Sequence, residues 1–153
     1  MSTSRTIKSI GSHHLDAVLS FLPLLRNLDP DLACTRWPGI VMENGNLVIH
    51  RGENHPIVSE LIDRLYEHGF IRDFDWMSWQ PRAARLFRNP KLLRRATTET
   101  CIKLLTLHAR KERFVDGHFA HMVKAGHITA VLTRLRELRR SCFGRELDSI
   151  SNR

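Results

Sequence analysis

Apolar residues recur along most of this chain at the three- and four-residue spacing that is typical of amphipathic helices. The first stripe follows Ser12, a residue suited to cap a helix, and consists of Leu15, Val18, Leu19 and Leu22. We expect Pro23 to end or bend this helix because proline has no backbone N–H to donate inside a helix. Similar stripes predict further helices that begin near Pro56, Ala83, Thr97, Asp116 and His127.

A different pattern occupies residues 40–49. Two β-prone runs, 40–43 and 46–49, flank the pair Asn44-Gly45, whose residues both tolerate the positive φ of a tight hairpin turn. The predicted fold class is therefore mainly α (α+β): a single-domain helical bundle with one small β-hairpin near residues 40–49. We place the globular domain at residues 12–140, between a flexible amino terminus, 1–11, and a loose polar tail, 141–153.

Composition is that of an ordinary single domain. The chain has 153 residues, of which 42% are hydrophobic, and no apolar run approaches the ~20 residues needed to span a bilayer. The first residues lack the apolar core of a secretory signal. Three well-separated cysteines, Cys34, Cys101 and Cys142, form no C-x-x-C motif, which favours free thiols and a cytoplasmic location.

Basic charge is concentrated in one segment, residues 82–113. This segment holds ten Lys or Arg and two Glu, so it accounts for the whole net charge of +8. Such a region attracts anions, nucleic acid among them, but it could also be a solvated face that only keeps the protein soluble. The candidate binding residues are Arg82, Arg85, Arg88, Lys91, Arg94 and Arg95, together with Trp79.

Trp79 belongs to the segment FDWMSWQ, residues 74–80, which holds two of the three tryptophans. Trp76 and Trp79 could form a stacking platform for a nucleic-acid base, or they could simply pack in the core. Asp75 between them could act as a general base, or it could cap the helix that follows.

The same segment carries a resemblance. LYEHGFIRDFDWMSWQ, KLLTLHARKERFVDGHFAHMVKAGHI and TAVLTRLREL resemble a family of small bacterial and phage domains of unknown function, marked by FDW-x-x-W and RF-x-x-GH-x(8)-GHI. The resemblance covers about residues 20–138. It implies an α-rich, single-domain, cytosolic protein, and it supplies no catalytic or ligand-binding residues.

Polar residues near the second block offer two constellations. Four histidines, His108, His118, His121 and His127, suggest a metal site at first, but their spacing matches no recognised zinc pattern, so we predict no metal. Arg113, Asp116 and His118 could anchor an anion beside a general acid or base, or Arg113 and Asp116 could clamp the corner between two helices.

The last two predicted helices also resemble a helix-turn-helix, with Arg134, Arg136, Arg139 and Arg140 on the second helix. A helical hairpin with a glycine turn is, however, common in plain bundles.

No nucleophile motif, phosphate-binding loop or dinucleotide fingerprint is present in the sequence. The leading hypothesis is a non-enzymatic binding or regulatory module whose basic region meets an acidic partner, with DNA or RNA as a candidate, and which needs no cofactor. One alternative is a small enzyme acting on a phosphorylated or nucleotide-like substrate through the candidate catalytic residues Asp75, Arg113 and His118. Another is a protein–protein adaptor of a phage or mobile-element system.

Overall fold

A computed structural model describes residues 10–35, 41–43, 46–48 and 53–151, with side chains described for residues 10–33 and 54–141. The helices in chain order are α1 Ser12–Leu19, α2 Phe21–Asn27, α3 Pro56–Glu67, α4 Gln80–Arg88, α5 Pro90–Leu93, α6 Thr98–Glu112, α7 His118–Lys124 and α8 His127–Ser151. A single 3₁₀ turn, Pro30–Leu32, follows α2. Among the described residues, no helix has the length and apolarity that a membrane crossing requires.

Helix α6 forms the centre of the fold. Its buried residues are Cys101, Ile102, Leu104, Leu105, Thr106, Leu107, His108 and Ala109, which surround most of the helix axis rather than one stripe. A helix that is apolar around its circumference must be enclosed by other elements, and α4, α7 and α8 all pack against α6. Side chains that project from α6 in different directions therefore reach different neighbouring helices.

Local signals in the sequence set several helix ends. The hydroxyl oxygen of Thr97 accepts a hydrogen bond from the Thr100 amide at 3.2 Å and caps α6. At the end of α3, Gly69 has a φ of 75°, and the Phe70 amide donates to the Leu65 carbonyl at 2.9 Å. This left-handed ending, predicted from Gly69, returns the chain toward the core, where Phe70 is fully buried.

The loop after α3 is held by one buried side chain. The Thr106 hydroxyl donates to the Phe70 carbonyl at 3.0 Å and accepts from the Arg72 amide at 3.1 Å. Thr106 of α6 thus satisfies the Phe70 carbonyl and the Arg72 amide. These two hydrogen bonds fix the position of the backbone just before the tryptophan-bearing segment.

The strands require a correction of the predicted fold class. Strand β1, Cys34–Thr35, pairs antiparallel with β4, Glu53–Asn54, and β2, Val41–Glu43, pairs antiparallel with β3, Asn46–Val48. These are isolated pairs of two or three residues per strand, and the core residues whose side chains are described all lie in helices or in the loops beside them. The assignment of an α+β fold with a β-hairpin as a structural unit was therefore wrong, and the fold is mainly helical. The expected turn residues, Asn44 and Gly45, lie outside the described residues.

Helix α8 also extends beyond its predicted end. We expected a loose tail from residue 141, but the backbone is helical to Ser151. The segment after Arg140 contains no proline, and the helix continues through Gly144 to the good helix formers Arg145, Glu146 and Leu147.

Candidate functional site: a basic face beside a histidine-lined cleft

Helices α4 and α5, with the two residues that follow α5, present an exposed basic face, which consists of Arg82, Arg85, Arg88, Lys91, Arg94 and Arg95. Apolar residues anchor the opposite side of these helices, with Ala83, Leu86 and Leu93 buried. At about 100° per residue, Arg85 and Arg88 point away from Ala83 and Leu86, while Arg82, four residues before Leu86, lies at the edge of the apolar side. The sequence thus places most of the cations on the outer side of these short helices.

The charges of the basic face are not neutralised by their surroundings. No Asp or Glu occurs between Gln80 and Thr98. None of the side chains of the basic face forms a hydrogen bond or an ion pair with another described residue. In contrast, Arg64, Lys103, Lys124, Arg134 and Arg139 each pair with a carboxylate. The basic face therefore stands out as a group of cations without described partners.

The inner side of α4 borders a cleft of about 570 Å³, which we call the histidine cleft. It lies between α4, α6 and α7, and its lining is mostly apolar. The lining residues are Met77, Gln80, Pro81, Ala83, Ala84, Phe87, Leu107, His108, Lys111, His118 and Met122.

Two histidine rings line the wall of this cleft, and a third packs against them. His108 Nδ1 and His118 Nε2 are 2.9 Å apart, so one ring donates a hydrogen bond to the other. The His127 ring lies perpendicular to that of His108, with centroids 5.0 Å apart, and it also contacts the edge of Phe87. His108 comes from the middle of α6, whereas His118 and His127 are the first residues of α7 and α8. These three, the cleft histidines, are brought together only by the packing of the helices.

Burial keeps the cleft histidines neutral. Burial, followed by the nearby charges of His127, His118 and Lys111, holds the pKa of His108 well below its usual value of 6.5. Burial also lowers the pKa of His118 to about 4 and that of His127 to about 4. At pH 7 an imidazole with such a pKa is protonated in only about one molecule in a thousand. The cleft histidines are thus suited to hydrogen bonding and poorly suited to donating protons at neutral pH.

Two ring nitrogens in this cluster have no hydrogen-bond partner among the described residues, Nε2 of His108 and Nε2 of His127. A buried polar atom without a partner is uncommon in folded proteins and is often satisfied by water or by a ligand. Because His108 lines the cleft, a bound molecule with a polar group could reach this part of the wall.

The corner between α6 and α7 is held by Glu112. Its carboxylate accepts from the backbone amides of Gly117 at 3.1 Å and Phe119 at 3.0 Å, and from the Asn54 amide group at 2.9 Å. The sequence also allows an Arg113–Asp116 clamp at this corner. Glu112 satisfies the free amides at the start of α7, and thereby fixes the position of His118.

The three candidate catalytic residues are placed in different surroundings. Asp75 is exposed, and its carboxylate accepts from the Ser78 amide at 3.3 Å and the Ser78 hydroxyl at 2.6 Å, in the turn before α4, whose N-cap is Trp79. These hydrogen bonds lower the pKa of Asp75. Arg113 is exposed and lies over the ring of Tyr66, 5.7 Å from its centroid. Of the three, His118 alone lines the histidine cleft.

The tryptophans pack against the core instead of forming an open platform. Trp76 and Trp79 are both half-buried beside core residues. The Trp79 ring meets Phe74 edge-on at 5.9 Å, and the Trp76 ring lies 6.0 Å from Phe114. Trp79 is therefore not part of the exposed basic face.

Two of the arginines of α8 considered for a helix-turn-helix are engaged within the protein. Arg134 Nε donates to the Ala96 carbonyl at 2.9 Å, and Arg139 donates to Asp16 and Ser12. These contacts tie α8 to the segment before α6 and to α1. They leave the basic face of α4 and α5 as the stronger candidate for contact with an anion.

Comparison with known protein families gives a match. The model of a family of unknown function (DUF6508) matches residues 10–141. The chain belongs to this family. The DUF6508 match spans the helical body, from the residues before α1 to the middle of α8, and contains both the basic face and the histidine cleft. No curated protein and no solved structure matches the chain. The bacterial and phage distribution and the two marker motifs stay predictions.

Sequence reasoning identified the basic face in this DUF6508 domain but missed most of the cleft. Gln80, Lys111 and Met122 come from three different helices, and no spacing in the sequence relates them. The histidines were noted, but only three of the four converge, since His121 is exposed and takes no part in the cluster.

Proposed function

We propose that this protein is a non-enzymatic binding module whose basic face contacts the phosphate backbone of a nucleic acid. The observation that carries the proposal is the set of exposed cations on α4 and α5 that no described residue neutralises. Maintaining such a set on two short helices costs electrostatic repulsion, which a polyanion relieves by replacing its own counterions.

Residue type and spacing support this partner. Five of the six cations are arginine, whose planar guanidinium can form two parallel hydrogen bonds to phosphate oxygens. They recur about every three residues from Arg82 to Arg94, so successive charges are distributed along the surface rather than stacked at one point. A distributed set suits a polymer of phosphates better than a single small anion. We place this function in the cytoplasm, where a buried free thiol such as that of Cys101 is stable.

Proton-transfer catalysis is less well supported. The cleft histidines are neutral at pH 7, and Asp75 and Arg113 do not line the cleft that contains His118. The proposal therefore assigns contact with the partner to the basic face and assigns a structural role to Asp75.

Fluorescence anisotropy with a short labelled duplex and a labelled single strand tests the proposal. We expect binding that weakens about a thousand-fold between about 50 and 200 mM salt if all six cations contact phosphates. The triple variant Arg85→Glu, Arg88→Glu, Lys91→Glu should abolish binding. A milder Arg85→Gln, Arg88→Gln pair should lower the slope of log K against log salt by about 2.

The matched control is Arg26→Glu, Arg64→Glu, Lys124→Glu, which makes the same change in net charge at cations on α2, α3 and α7. This control should retain most of the affinity. Equal weakening by both triple variants would mean that only net charge matters, and the absence of binding to any nucleic acid at low salt would overturn the proposal.

A second candidate function rests on the histidine cleft itself. The unpartnered Nε2 of buried His108 and the ammonium of Lys111 at the lining favour a small molecule with an apolar body and an anionic or polar group, in keeping with the nucleotide-like ligand of the enzymatic alternative. Imidazole NMR signals of His108 and His118 should shift on titration with a nucleotide and should not shift in a Met122→Trp variant that fills the cleft. Unchanged signals across a panel of nucleotides would exclude this candidate.

A further inference from the structure

A second group of histidines lies far from the cleft in the chain, where α1 begins and α3 ends. His13 and His14 lie in the first turn of α1, and His68 directly follows α3. One ring nitrogen from each of the three residues lies within 4.8 Å of the other two. His14 Nδ1 and His68 Nδ1 are 2.8 Å apart. We call this group the helix-end histidines.

This convergence does not follow from sequence adjacency. Neighbouring residues on a helix point about 100° apart and do not normally face each other. Here the rings of His13 and His14 approach to 3.8 Å between centroids, and the His68 ring meets that of His14 edge-on at 5.1 Å. The packing of α1 against α3 is what adds the third imidazole to the pair.

We propose that His13, His14 and His68 form a binding site for a divalent transition-metal ion of the zinc class. Imidazole nitrogen is a preferred ligand of Zn²⁺, Cu²⁺, Ni²⁺ and Co²⁺, whereas Mg²⁺ and Ca²⁺ prefer oxygen. Three histidines with solvent in the fourth position make a tetrahedral zinc site that keeps one position open.

The geometry requires only small side-chain movements. Zn–N bonds of about 2.0–2.1 Å at tetrahedral angles place ligand nitrogens about 3.3 Å apart. The His14–His68 contact of 2.8 Å would open by about half an ångström, and the widest pair would close from no more than 4.8 Å. His13 is exposed and the other two are half-buried, so the rings are free to adjust.

Local charge also suits a cation. The amide end of α1 opposes a cation, but the carbonyl end of α3, where His68 lies, favours one. Arg139 is a nearby cation, and its charge is balanced by Asp16, to which it donates a hydrogen bond.

Titration of the full chain with Zn²⁺ alone, followed by calorimetry, tests the site. We expect one Zn²⁺ per chain, and a melting temperature that rises by about 5–10 °C when free Zn²⁺ is a hundred times its Kd. Mg²⁺ should produce no shift. Co²⁺ should bind at the same stoichiometry and develop the visible absorption of a tetrahedral complex.

Single variants decide which residues bind. His13→Gln and His68→Gln should each weaken Zn²⁺ binding at least ten-fold, and His13→Gln is the safer variant because no hydrogen bond of the His13 side chain is described. His121→Gln is the matched control, an exposed histidine on α7 outside both clusters. Unchanged affinity in His13→Gln, an equal loss in His121→Gln, or no binding of Zn²⁺ by the wild type would each overturn the proposal.

Discussion

The two histidine clusters of this protein share a chemical motif and differ in their surroundings. Each contains two imidazoles whose ring nitrogens lie within hydrogen-bond distance, 2.9 Å in the cleft and 2.8 Å at the helix ends. A third ring lies beside each pair. The cleft histidines are enclosed, with His108 only 4% exposed, while His13 is open to solvent. The comparison teaches that burial, more than residue type, decides how strongly a histidine cluster is tied to the stability of the fold.

Lowering the pH should give the largest difference between the two clusters, because it should destabilise the fold through the cleft histidines. The pKa of His127 is about 4 in the folded protein and 6.5 in the unfolded chain, so the unfolded chain binds more protons between these values. The free energy of unfolding should therefore fall as pH decreases from about 6.5 to 4, by about 3 kcal/mol from His127 alone, and it should be insensitive to this group above pH 7.

Urea unfolding followed by circular dichroism at several pH values measures this dependence. In His127→Phe the loss between pH 6.5 and 4 should become smaller, while in His13→Gln it should match the wild type. A pH profile that is the same in all three proteins would contradict the assignment of the buried cluster as the acid-sensitive element.

Truncation of one ring in each cluster gives the next largest effect. His108→Ala should lower the free energy of unfolding by about 2–3 kcal/mol, because it leaves a cavity in the core and removes the hydrogen-bond partner of His118. His14→Ala should cost less than about 1 kcal/mol, since that site is partly open and can be rehydrated. Denaturation at pH 7 measures the free energy of unfolding of both variants. Similar losses in His108→Ala and His14→Ala would contradict the conclusion that the cleft histidines are more important for stability than the helix-end histidines.

Glycines beside the clusters provide a third test. Gly69 follows His68 with a φ of 75°, and Gly126 precedes His127 with a φ of 81°; a Cβ at either position meets no atom within 4 Å. Gly69→Ala and Gly126→Ala should each cost about 1 kcal/mol, from the backbone conformation alone.

Asparagine tolerates this conformation better, so Gly126→Asn should recover part of the loss, as measured by thermal unfolding. If Gly126→Ala lowers the free energy of unfolding by well above about 2 kcal/mol and Gly69→Ala does not, displacement of His127 contributes in addition to the strain of the backbone.

The smallest change in the free energy of unfolding is expected for substitutions on the basic face. Arg85→Gln with Arg88→Gln should change the free energy of unfolding by no more than about 0.5 kcal/mol, because these side chains are exposed and make no described hydrogen bond or ion pair. Such a result, with weakened nucleic-acid binding, would mean that the face serves a partner and not the fold. A loss as large as that of His108→Ala would reveal a structural role.

Local chemistry explains which features were predictable. Ser12, Pro56, Thr98 and His127 lie at or beside the predicted helix starts, and Gly69 ends α3, since caps and backbone preferences act within a few residues. Pro23 predicts an end or a bend in the first helix, yet the break falls at Ser20, and Pro23 lies in the first turn of α2, where proline is tolerated. The α+β assignment failed because β-propensity describes a segment and cannot say whether a core will use it.

The sequence by itself determined the helical body, the left-handed end of α3 and the position of the basic face, because periodicity, glycine conformation and charge are properties of short segments. Only the tertiary structure decided which histidines meet. His108, His118 and His127 join through the packing of α6, α7 and α8, and His68 reaches His14 across a separation of 54 residues. Side chains from distant segments acquire shared chemistry only when the core fixes the helices that carry them, and burial then sets their pKa.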